Sequence, residues 1–481
     1  MGAGYGVPLP RPRHPRKGGS KHLGTAWVVF AAVIVASAAA SRHPAVVVGA
    51  AAVAALARRP ALGVVLVALA AVTILRADAA WRSLMPERLG HFEGWADVVG
   101  EPQRYSSALR VVLDVDGQRF ELWARGRAAG QRVAGWRGGD RVAVSGRLRP
   151  LDEDRARRVA WQHVVGELDA DWLGDARAGS RLAEASNRVR GLIERGAGVL
   201  APDDAALARG LVVGDDQDQP PAIVERFRAS GLAHLTAVSG QNVAFVLAAA
   251  GPLLRRSRPL SRWMLTLGLI GWFVLLTRAE PSVMRAGTMA ALSATAFLLG
   301  RQREPVRLLA LAVAGLLLLD PLLAWSVGFW LSVGATAGVT AIGPRLAARL
   351  RVLGPLALPA AVTIGAQVGV AVPSLLVFGR LSLVGTVANL IAVPVAGLVM
   401  LYGLPACLLA GAVPIVAPMV MVPVAVGVRW IDAVATVGAA VEPGPPWSWL
   451  GWVAAAAVVM VLIRVGGARH SRDNDHPAAG S

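Results

Sequence analysis

Five polar side chains interrupt the stretch GLAHLTAVSGQNVAF, residues 231–245, which opens an apolar run long enough to cross a membrane. They are His234, Thr236, Ser239, Gln241 and Asn242. Polar groups at membrane depth are costly and usually face the interior of a helix bundle or a water-filled cavity. His234 and Gln241 are seven residues apart and would share one helical face, while small residues such as Gly240 suit close packing. Two chemistries fit: hydrogen bonding to a polar solute that crosses the membrane, and nucleophilic catalysis by Ser239.

Catalysis by Ser239 would need a histidine as general base, and that histidine would have to lie on a partner helix. His234 is the only histidine within any predicted span, and it precedes Ser239 by five residues. That spacing turns it about 140° round the same helix, so an intramembrane serine hydrolase is disfavoured. The Ser239–Gly240 pair could instead break the helix and expose backbone groups toward a cavity. In a purely structural alternative, His234 lies at the membrane interface and the amides bridge helices.

The stretch RAEPSVMRAGTM places Ser282 and Arg285 at the start of another apolar run. We expect Arg285 about one helical turn inside the outer membrane boundary, where an anionic solute would meet a fixed positive charge. Two alternatives give Arg285 a structural role. It could form an ion pair with Glu280, or its long side chain could extend to the membrane surface.

Two further amides, Gln367 and Asn389, lie within apolar runs and join the candidate residues for a polar path. Glycines and prolines around Asn389, in SLVGTVANLIAVPVAG, predict an interrupted or re-entrant helix. The Asp320-Pro321 pair stands between two apolar runs and predicts a helix stop, because the residue before a proline disfavours helical backbone.

The composition of the whole chain predicts a polytopic α-helical membrane protein. Of its 481 residues, 55% are hydrophobic and only 17% are charged, unlike an ordinary soluble protein of this size. Lysine occurs only at Lys17 and Lys21, so the Gly-Lys-Ser/Thr step of a P-loop ATPase is absent from the sequence. The single cysteine, Cys407, excludes an intrachain disulfide and a cysteine-based metal site, and we expect it to be a small buried side chain. We predict no metal site and no cofactor.

About twelve apolar runs are candidate membrane spans. They are Thr25–Ala40, Ala45–Ala57, Ala61–Leu75, Leu232–Leu254, Trp263–Thr277, Ser282–Leu299, Leu308–Leu319, Leu322–Ile342, Leu356–Val377, Val384–Leu409, Val413–Trp430 and Trp449–Ile463. The first could alternatively be a cleaved signal peptide, but two further apolar runs follow at once and favour an uncleaved helix. The second is short, and it either tilts with its flanks or forms a re-entrant pair with the third.

The arginines support this order of spans. If the spans alternate from an inner N-terminus, the arginine clusters near residues 58–59, 255–258, 301–307, 345–351 and 464–472 all fall on the cytoplasmic side. Cytoplasmic loops are normally enriched in this way. We therefore expect a multi-pass protein of the cytoplasmic membrane with both termini inside, and this location of charge explains most of the net charge of +18.

A different composition follows the third apolar run. Four segments of strand length, from ALRVVLDVDG to RRVAWQHVVGELDADW, are separated by Gly, Pro and Asp clusters and predict about five antiparallel strands outside the membrane. An OB-type barrel fits that number, and a five-stranded meander fits nearly as well. The predicted domains are a basic cytoplasmic tail 1–24, N-terminal membrane helices 25–76, the β domain 77–175, an amphipathic helical linker 176–230, a membrane domain 231–464 and a cytoplasmic tail 465–481.

Four motifs, taken together and in order, resemble the ComEC family of competence-type DNA-internalisation channels. They are GLAHLTAVSGQNVA, PSVMRAGTM, REPVRLLALAVAGLLLLDPLLAWSVGFWLS and FGRLSLVGTVANLIAVPVAG, and the resemblance spans residues 202–463. It implies passage of a single DNA strand across the cytoplasmic membrane during natural transformation, with the polar residues above along the path. The external domain is more weakly similar to the family's OB-type domain, which makes Arg110, Arg119 and Arg125 candidate DNA contacts. The family also implies an external DNA-binding competence protein and a cytoplasmic helicase-type ATPase. A homo-oligomer is a further candidate for the assembly.

The chain departs from the family pattern at two points. Gln241-Asn242 stands where Leu-His often follows the Ser-Gly pair, and amides do not titrate near neutral pH. Many members carry a C-terminal metallo-β-lactamase-like domain, but none of the eight histidines here forms the cluster His-x-His-x-Asp-His. We therefore expect a short form without enzymatic activity, and a separate nuclease if one strand is degraded. The alternative function is transport of another solute, which could be anionic.

Overall fold

The computed structural model describes residues 19–56, 60–105, 108–215, 217–236, 240–301, 304–379, 381–444 and 447–474. Three helices come first: α1 Gly19–Ser41, α2 Ala45–Leu56 and α3 Pro60–Arg82. The β domain follows: β1 Gly90–Val98, β2 Gln103–Tyr105, β3 Ala108–Val115, β4 Gln118–Arg125, α4 Arg127–Ala134, β5 Arg141–Pro150, α5 Glu153–Val159 and β6 Val164–Arg177. The remaining α-helices are α6 Arg181–Ala197, α7 Pro202–Val213, α8 Pro221–Ala229, α9 Ala233–Thr236, α10 Gly240–Ala249, α11 Gly251–Arg256, α12 Pro259–Leu276, α13 Pro281–Leu298, α14 Pro305–Leu319, α15 Val327–Ala337, α16 Gly343–Arg349, α17 Ala357–Phe378, α18 Gly385–Ala412, α19 Ala417–Val441 and α20 Trp447–Asn474.

The strands of the β domain close into a ring. Their order is β1-β5-β6-β4-β3-β2, and an additional pairing of β1 with β3 joins the two sides. Only the pairing of β4 with β6 is parallel among the described strands. The β3–β4 hairpin turns at Asp116 and Gly117, which both have positive φ, as a two-residue Asp-Gly turn requires. Inward side chains such as Phe120, Leu122 and Leu168 fill the interior.

The main hydrophobic core joins α6, α7 and α8 to the helices that follow. Ile193, Leu211 and Phe227 are fully buried in one cluster with side chains of α10, α12, α18 and α19. Glycines bring the backbones of α6 and α18 into close contact. A Cβ atom added to Gly196 would lie 2.1 Å from the carbonyl oxygen of Cys407, and a Cβ atom added to Gly411 would lie 2.0 Å from the carbonyl oxygen of Leu192. The helices expected in the linker 176–230 therefore exist, but they form part of the core and are not a connecting segment.

Glycines also bring α15 and α17 into backbone contact. A Cβ atom on Gly338 would lie 1.9 Å from the Gly365 carbonyl oxygen, and one on Gly369 would lie 2.0 Å from that of Gly334. Such small-residue pairs at four-residue spacing let membrane helices approach closely. Gly338 also begins a short π-helical segment, Gly338–Ile342, between α15 and α16.

Six helices in the described part of the chain are long and apolar enough to cross a membrane: Pro60–Arg82, Pro259–Leu276, Val327–Arg349, Arg351–Phe378, Gly385–Ala412 and Pro414–Val441. Shorter apolar helices cover Thr25–Ser41, Gly240–Ala249, Pro305–Leu319 and Trp447–Val461. Large apolar side chains on their outer faces are exposed, including Leu376 and Met419. Exposed apolar surface on this scale suits lipid contact, so the chain is a membrane protein.

The predicted span Leu232–Leu254 contains α9, α10 and α11, and residues 237–239 between the first two lie outside the described residues. One prediction about helix continuity is wrong. The interruption expected near Asn389 is absent from the described backbone, because α18 runs unbroken past Asn389 and through Pro394 and Pro405. A transmembrane helix tolerates proline where neighbouring groups satisfy the freed carbonyl groups.

Candidate functional site

Arg285 lies in the interior of the helical body with only 5% of its surface exposed. It belongs to the first turns of α13, which begins with Pro281 at a position where proline favours helix initiation. Its Nε donates to the Ser332 hydroxyl oxygen on α15 at 2.9 Å, and its Nη1 contacts the Met289 sulfur at 3.2 Å. None of the ion pairs between described residues includes Arg285. Neither structural alternative, pairing with Glu280 or extension to the membrane surface, matches this arrangement.

The start of α10 packs directly on Arg285. A Cβ atom on Gly240 would lie 2.6 Å from Arg285 Nη2 and 2.7 Å from the Ala286 side chain, so only glycine fits there. The Ser282 carbonyl oxygen lies 3.3 Å from the same point, and its side chain is half-buried. A buried guanidinium group without an ion pair among the described residues is a positive charge that attracts an anion.

The polar residues of the opening stretch separate in the structure. Asn242 is buried, and its Nδ2 donates to the Leu211 carbonyl oxygen of α7 at 3.2 Å, so it anchors α10 to the core. Gln241 lies on the exposed side of α10, and His234 is exposed on α9. Residues 237–239 between them lie outside the described residues, so the shared helical face of His234 and Gln241 stays a prediction. Ser239 lies outside the described residues.

Gln367 and Asn389 lie at a second helix interface, between α17 and α18. Gln367 Nε2 is 3.3 Å from the point that a Cβ atom of Gly385, at the start of α18, would occupy. The Asn389 Oδ1 atom, one turn further along α18, is enclosed and has no hydrogen-bond partner among the described residues. Buried amide oxygens normally have a partner, so this atom is ready to accept a hydrogen bond from a water or a solute.

A carboxylate from a distant segment caps the start of α18. Glu442 accepts hydrogen bonds from the Ser382 hydroxyl at 2.8 Å and from the backbone N–H groups of Leu383 and Val384 at 2.9 Å each. Negative charge is stabilised at a helix N-terminus, where backbone N–H groups are otherwise unpaired. The sequence motif around Ser382 is local, and nothing in it identified Glu442 as the partner.

The β domain is joined to the membrane helices by a network of ion pairs that the sequence did not reveal. Arg278, between α12 and α13, donates from Nη2 to Glu101 Oε1 at 2.8 Å and to Asn187 Oδ1 at 2.5 Å. Arg190 on α6 lies 3.3 Å from the same Glu101 oxygen and donates to the Leu276 carbonyl oxygen at 3.1 Å. Burial would raise the pKa of Glu101, but Arg190 and Arg278 outweigh it and hold that pKa below its ordinary value.

A second contact joins the two parts of the molecule at Asp320. Its Oδ1 accepts from the Leu322 backbone N–H at 3.0 Å, the geometry of a helix cap, as expected for a helix stop. Its Oδ2 lies 2.9 Å from His163 Nε2 in the β domain. His163 reaches this position from a left-handed backbone conformation just before β6. The Asp-Pro pair thus has both the expected local role and an unforeseen long-range one.

The three arginines predicted as external DNA contacts differ in accessibility. Arg110 is 6% exposed, and it pairs with Glu121 at 2.8 Å and donates to Gln162 Oε1 at 2.6 Å. Its predicted role in DNA contact is therefore wrong, because the guanidinium is held inside the barrel wall. Arg119 is half-buried and donates to the Gln162 carbonyl oxygen, whereas Arg125 is exposed at the end of β4.

Aromatic side chains accompany the exposed arginine. Tyr105 on β2 and Trp123 on β4 lie 5.4 Å apart between ring centroids, and the Arg155 guanidinium stacks over Trp123 at 4.8 Å. Tyr105 is 48% exposed, and Arg104 beside it is also exposed. Exposed rings next to basic side chains can stack with planar groups of a ligand.

Comparison with known proteins assigns the family. Residues 211–468, more than half of the chain, match the family described as "Competence protein". The chain belongs to the ComEC-type competence protein family. The matched residues run from the end of α7 into α20 and include Arg285, Gln367 and Asn389, whereas the β domain lies outside them.

Three individual relatives match parts of the chain. It is 28% identical over 256 residues to "Competence protein ComA" of Neisseria gonorrhoeae, covering 47% of this chain and 37% of that protein. It is 27% identical over 200 residues to "ComE operon protein 3" of Bacillus subtilis, covering 41% and 25%. It is 29% identical over 231 residues to "Uncharacterized protein YcaI" of Escherichia coli, covering 45% and 30%. The matches thus span at most 37% of a relative's length, and no solved structure matches significantly.

Proposed function

We propose that the chain is a membrane channel for uptake of single-stranded DNA across the cytoplasmic membrane in natural transformation. The observation that carries the proposal is Arg285, a buried cation without an ion pair among the described residues, packed against Gly240 of α10. The family membership of this segment and the competence names of two relatives support it. A polyanion needs such positive groups at membrane depth, because each phosphate is otherwise strongly disfavoured there.

The path would combine charge with neutral hydrogen-bonding groups. Arg285 would stabilise the phosphates of the strand as they pass, while Gln367 and Asn389 would hydrogen-bond to the strand without titrating. Ser282, Gln241, His234 and Ser239 remain candidates for lining the path. Asn242 would act by holding α10 in place, given its bond to α7. The chain itself would supply conduction and no catalysis.

The topology proposed for this role has about twelve spans, both termini in the cytoplasm and the β domain outside. The six long apolar helices and the four shorter ones supply most of those spans. The ring order β1-β5-β6-β4-β3-β1, with a short helix after β4, is compatible with an OB-type barrel. Such barrels hold single strands with stacked bases and basic grooves, a role that Tyr105, Trp123 and Arg125 would fill here.

The proposed function implies partners. A cytoplasmic helicase-type ATPase would provide the energy, an external DNA-binding competence protein would deliver DNA, and a separate nuclease would remove one strand if one is degraded. Assembly into a homo-oligomer is part of the same proposal.

A deletion in a naturally competent host tests the proposal. We expect loss of labelled DNA from the nuclease-protected cytoplasmic pool, and recovery when the wild-type gene is restored. DNA bound outside the cell should be unaffected, because the defect lies in membrane passage. Unchanged DNA uptake in the deletion strain would instead support the second candidate, transport of another anionic solute, which Arg285 would equally suit.

A further inference from the structure

A cleft of about 380 Å³ opens where α3 leaves the helical body. Its lining consists of Arg42, Asp78, Trp81, Arg82 and Met85. Arg42 follows α1 directly, and the other residues lie on or just after the last two turns of α3. None of these residues belongs to the proposed DNA path, so the cleft needs a separate explanation.

The cleft holds one arginine in a fixed position. Arg42 has φ of 53°, a left-handed conformation that is uncommon for residues other than glycine. Its guanidinium lies 4.9 Å from the centre of the Trp81 ring and 4.0 Å from the Asp78 carboxylate. Trp81 in turn packs edge-on against Trp325 at 5.3 Å. Stacking on an immobilised ring orients the guanidinium before any ligand binds.

The charges in the cleft leave one positive charge uncompensated. Arg42 and Arg82 contribute two positive charges, and Asp78 contributes one negative charge. Arg82 is exposed, and its Nε donates to the Asp78 backbone carbonyl oxygen, so its two terminal nitrogens are not used in that bond. Guanidinium groups bind phosphate oxygens through paired N–H donors, and a phosphodiester with a single negative charge would neutralise the site.

An apolar stripe leads from the cleft along α3. Leu75 is 66% exposed and lies seven residues before Arg82, which places both on one helical face about 10 Å apart. Val72 and Val65 continue the exposed stripe toward the start of the helix, which is one of the candidate membrane spans. Tryptophan at the end of a span normally marks the level of lipid headgroups.

We propose that this cleft binds the headgroup of an anionic membrane phospholipid. The phosphate lies between Arg42 and Arg82, and one acyl chain follows Leu75 and Val72 along α3. A nucleic acid would offer the same phosphodiester chemistry, but it has no apolar part to match the stripe.

Native mass spectrometry of the purified full-length protein, titrated with phosphatidylglycerol or with zwitterionic phosphatidylcholine, tests the proposal. The double variant Arg42→Gln/Arg82→Gln should retain about tenfold less phosphatidylglycerol than the wild type. The control Arg88→Gln/Arg147→Gln removes two exposed charges from the neighbouring β domain and should retain the wild-type amount. Asp78→Asn, which removes the acidic side chain among the described residues that line the cleft, should increase retention.

Three results would overturn the proposal. The double variant could retain as much phosphatidylglycerol as the control, or the wild type could retain both lipids equally. In the third result, the double variant would bind a short oligothymidylate more weakly than the wild type but would retain as much phosphatidylglycerol. That result would assign the cleft to nucleic acid. Equal thermal unfolding midpoints for wild type and variants would show that the fold is intact.

Discussion

Replacing Glu101 by Gln should loosen the β domain from the membrane helices. Glu101 is 16% exposed and faces two arginines that are 7% and 12% exposed, with N–O distances of 2.8 to 3.3 Å. Removing one partner from a buried ion pair costs about 3 kcal/mol or more, because the other charges stay buried. An energy of ~3 kcal/mol changes an equilibrium constant by roughly 150-fold.

The measurement is denaturant unfolding of the purified protein in detergent, compared with Glu184→Gln. Glu184 lies on the same helix as Arg190, but its pair with Arg188 is exposed, and such pairs contribute only about 0.3 kcal/mol. The pKa of Glu101 is lowered in the folded protein, so its stabilisation is present above the ordinary pKa of the carboxyl group. It should disappear as the pH falls through the lowered pKa. Equal stability of the two variants at neutral pH would refute the reasoning.

Three further predictions concern other contacts. Gly338→Ala should destabilise the protein by about 2 kcal/mol or more, because the new methyl group would overlap the Gly365 carbonyl oxygen, whereas Gly315→Ala, with open space around it, should be neutral in the same unfolding assay. Arg110→Ala should lower the melting temperature of the β domain, since it leaves Glu121 buried without that partner, and an unchanged melting temperature would contradict its place in the barrel wall. Arg125→Ala should weaken single-strand binding measured by fluorescence anisotropy several-fold without changing the melting temperature, and unchanged affinity would remove it from the binding face.

Local patterns predicted many of the elements. The limits of α17 and α18 fall within three residues or fewer of the predicted runs, because apolar length alone defines a span. The Asp116-Gly117 turn is encoded by two neighbouring residues, and so is the Asp320 cap. Each of these features depends on residues close together in the chain.

Contacts between residues far apart in the chain could not be predicted from the sequence. Glu101 and Arg278 are 177 residues apart, and no periodicity links them. In the same way, no sequence pattern links Glu442 to the residues at the start of α18 from whose N–H groups it accepts hydrogen bonds. The amphipathic pattern of α6 correctly predicted a helix, but it did not indicate that the helix would pack on α18 through Gly196. The sequence also did not show which of the arginines are exposed. Arg110 and Arg125 are the same residue type, and only the strand register of the barrel makes Arg110 buried and Arg125 exposed.

Uptake by an Arg285→Gln variant tests the central claim most directly. Glutamine keeps a hydrogen-bond donor for Ser332 but removes the charge that would stabilise phosphates. We expect nuclease-protected DNA to fall by about tenfold or more, equivalent to ~1.4 kcal/mol, at unchanged membrane abundance. Arg285→Lys, which keeps the charge, should retain most of the uptake. Wild-type uptake by Arg285→Gln at equal abundance would contradict the account.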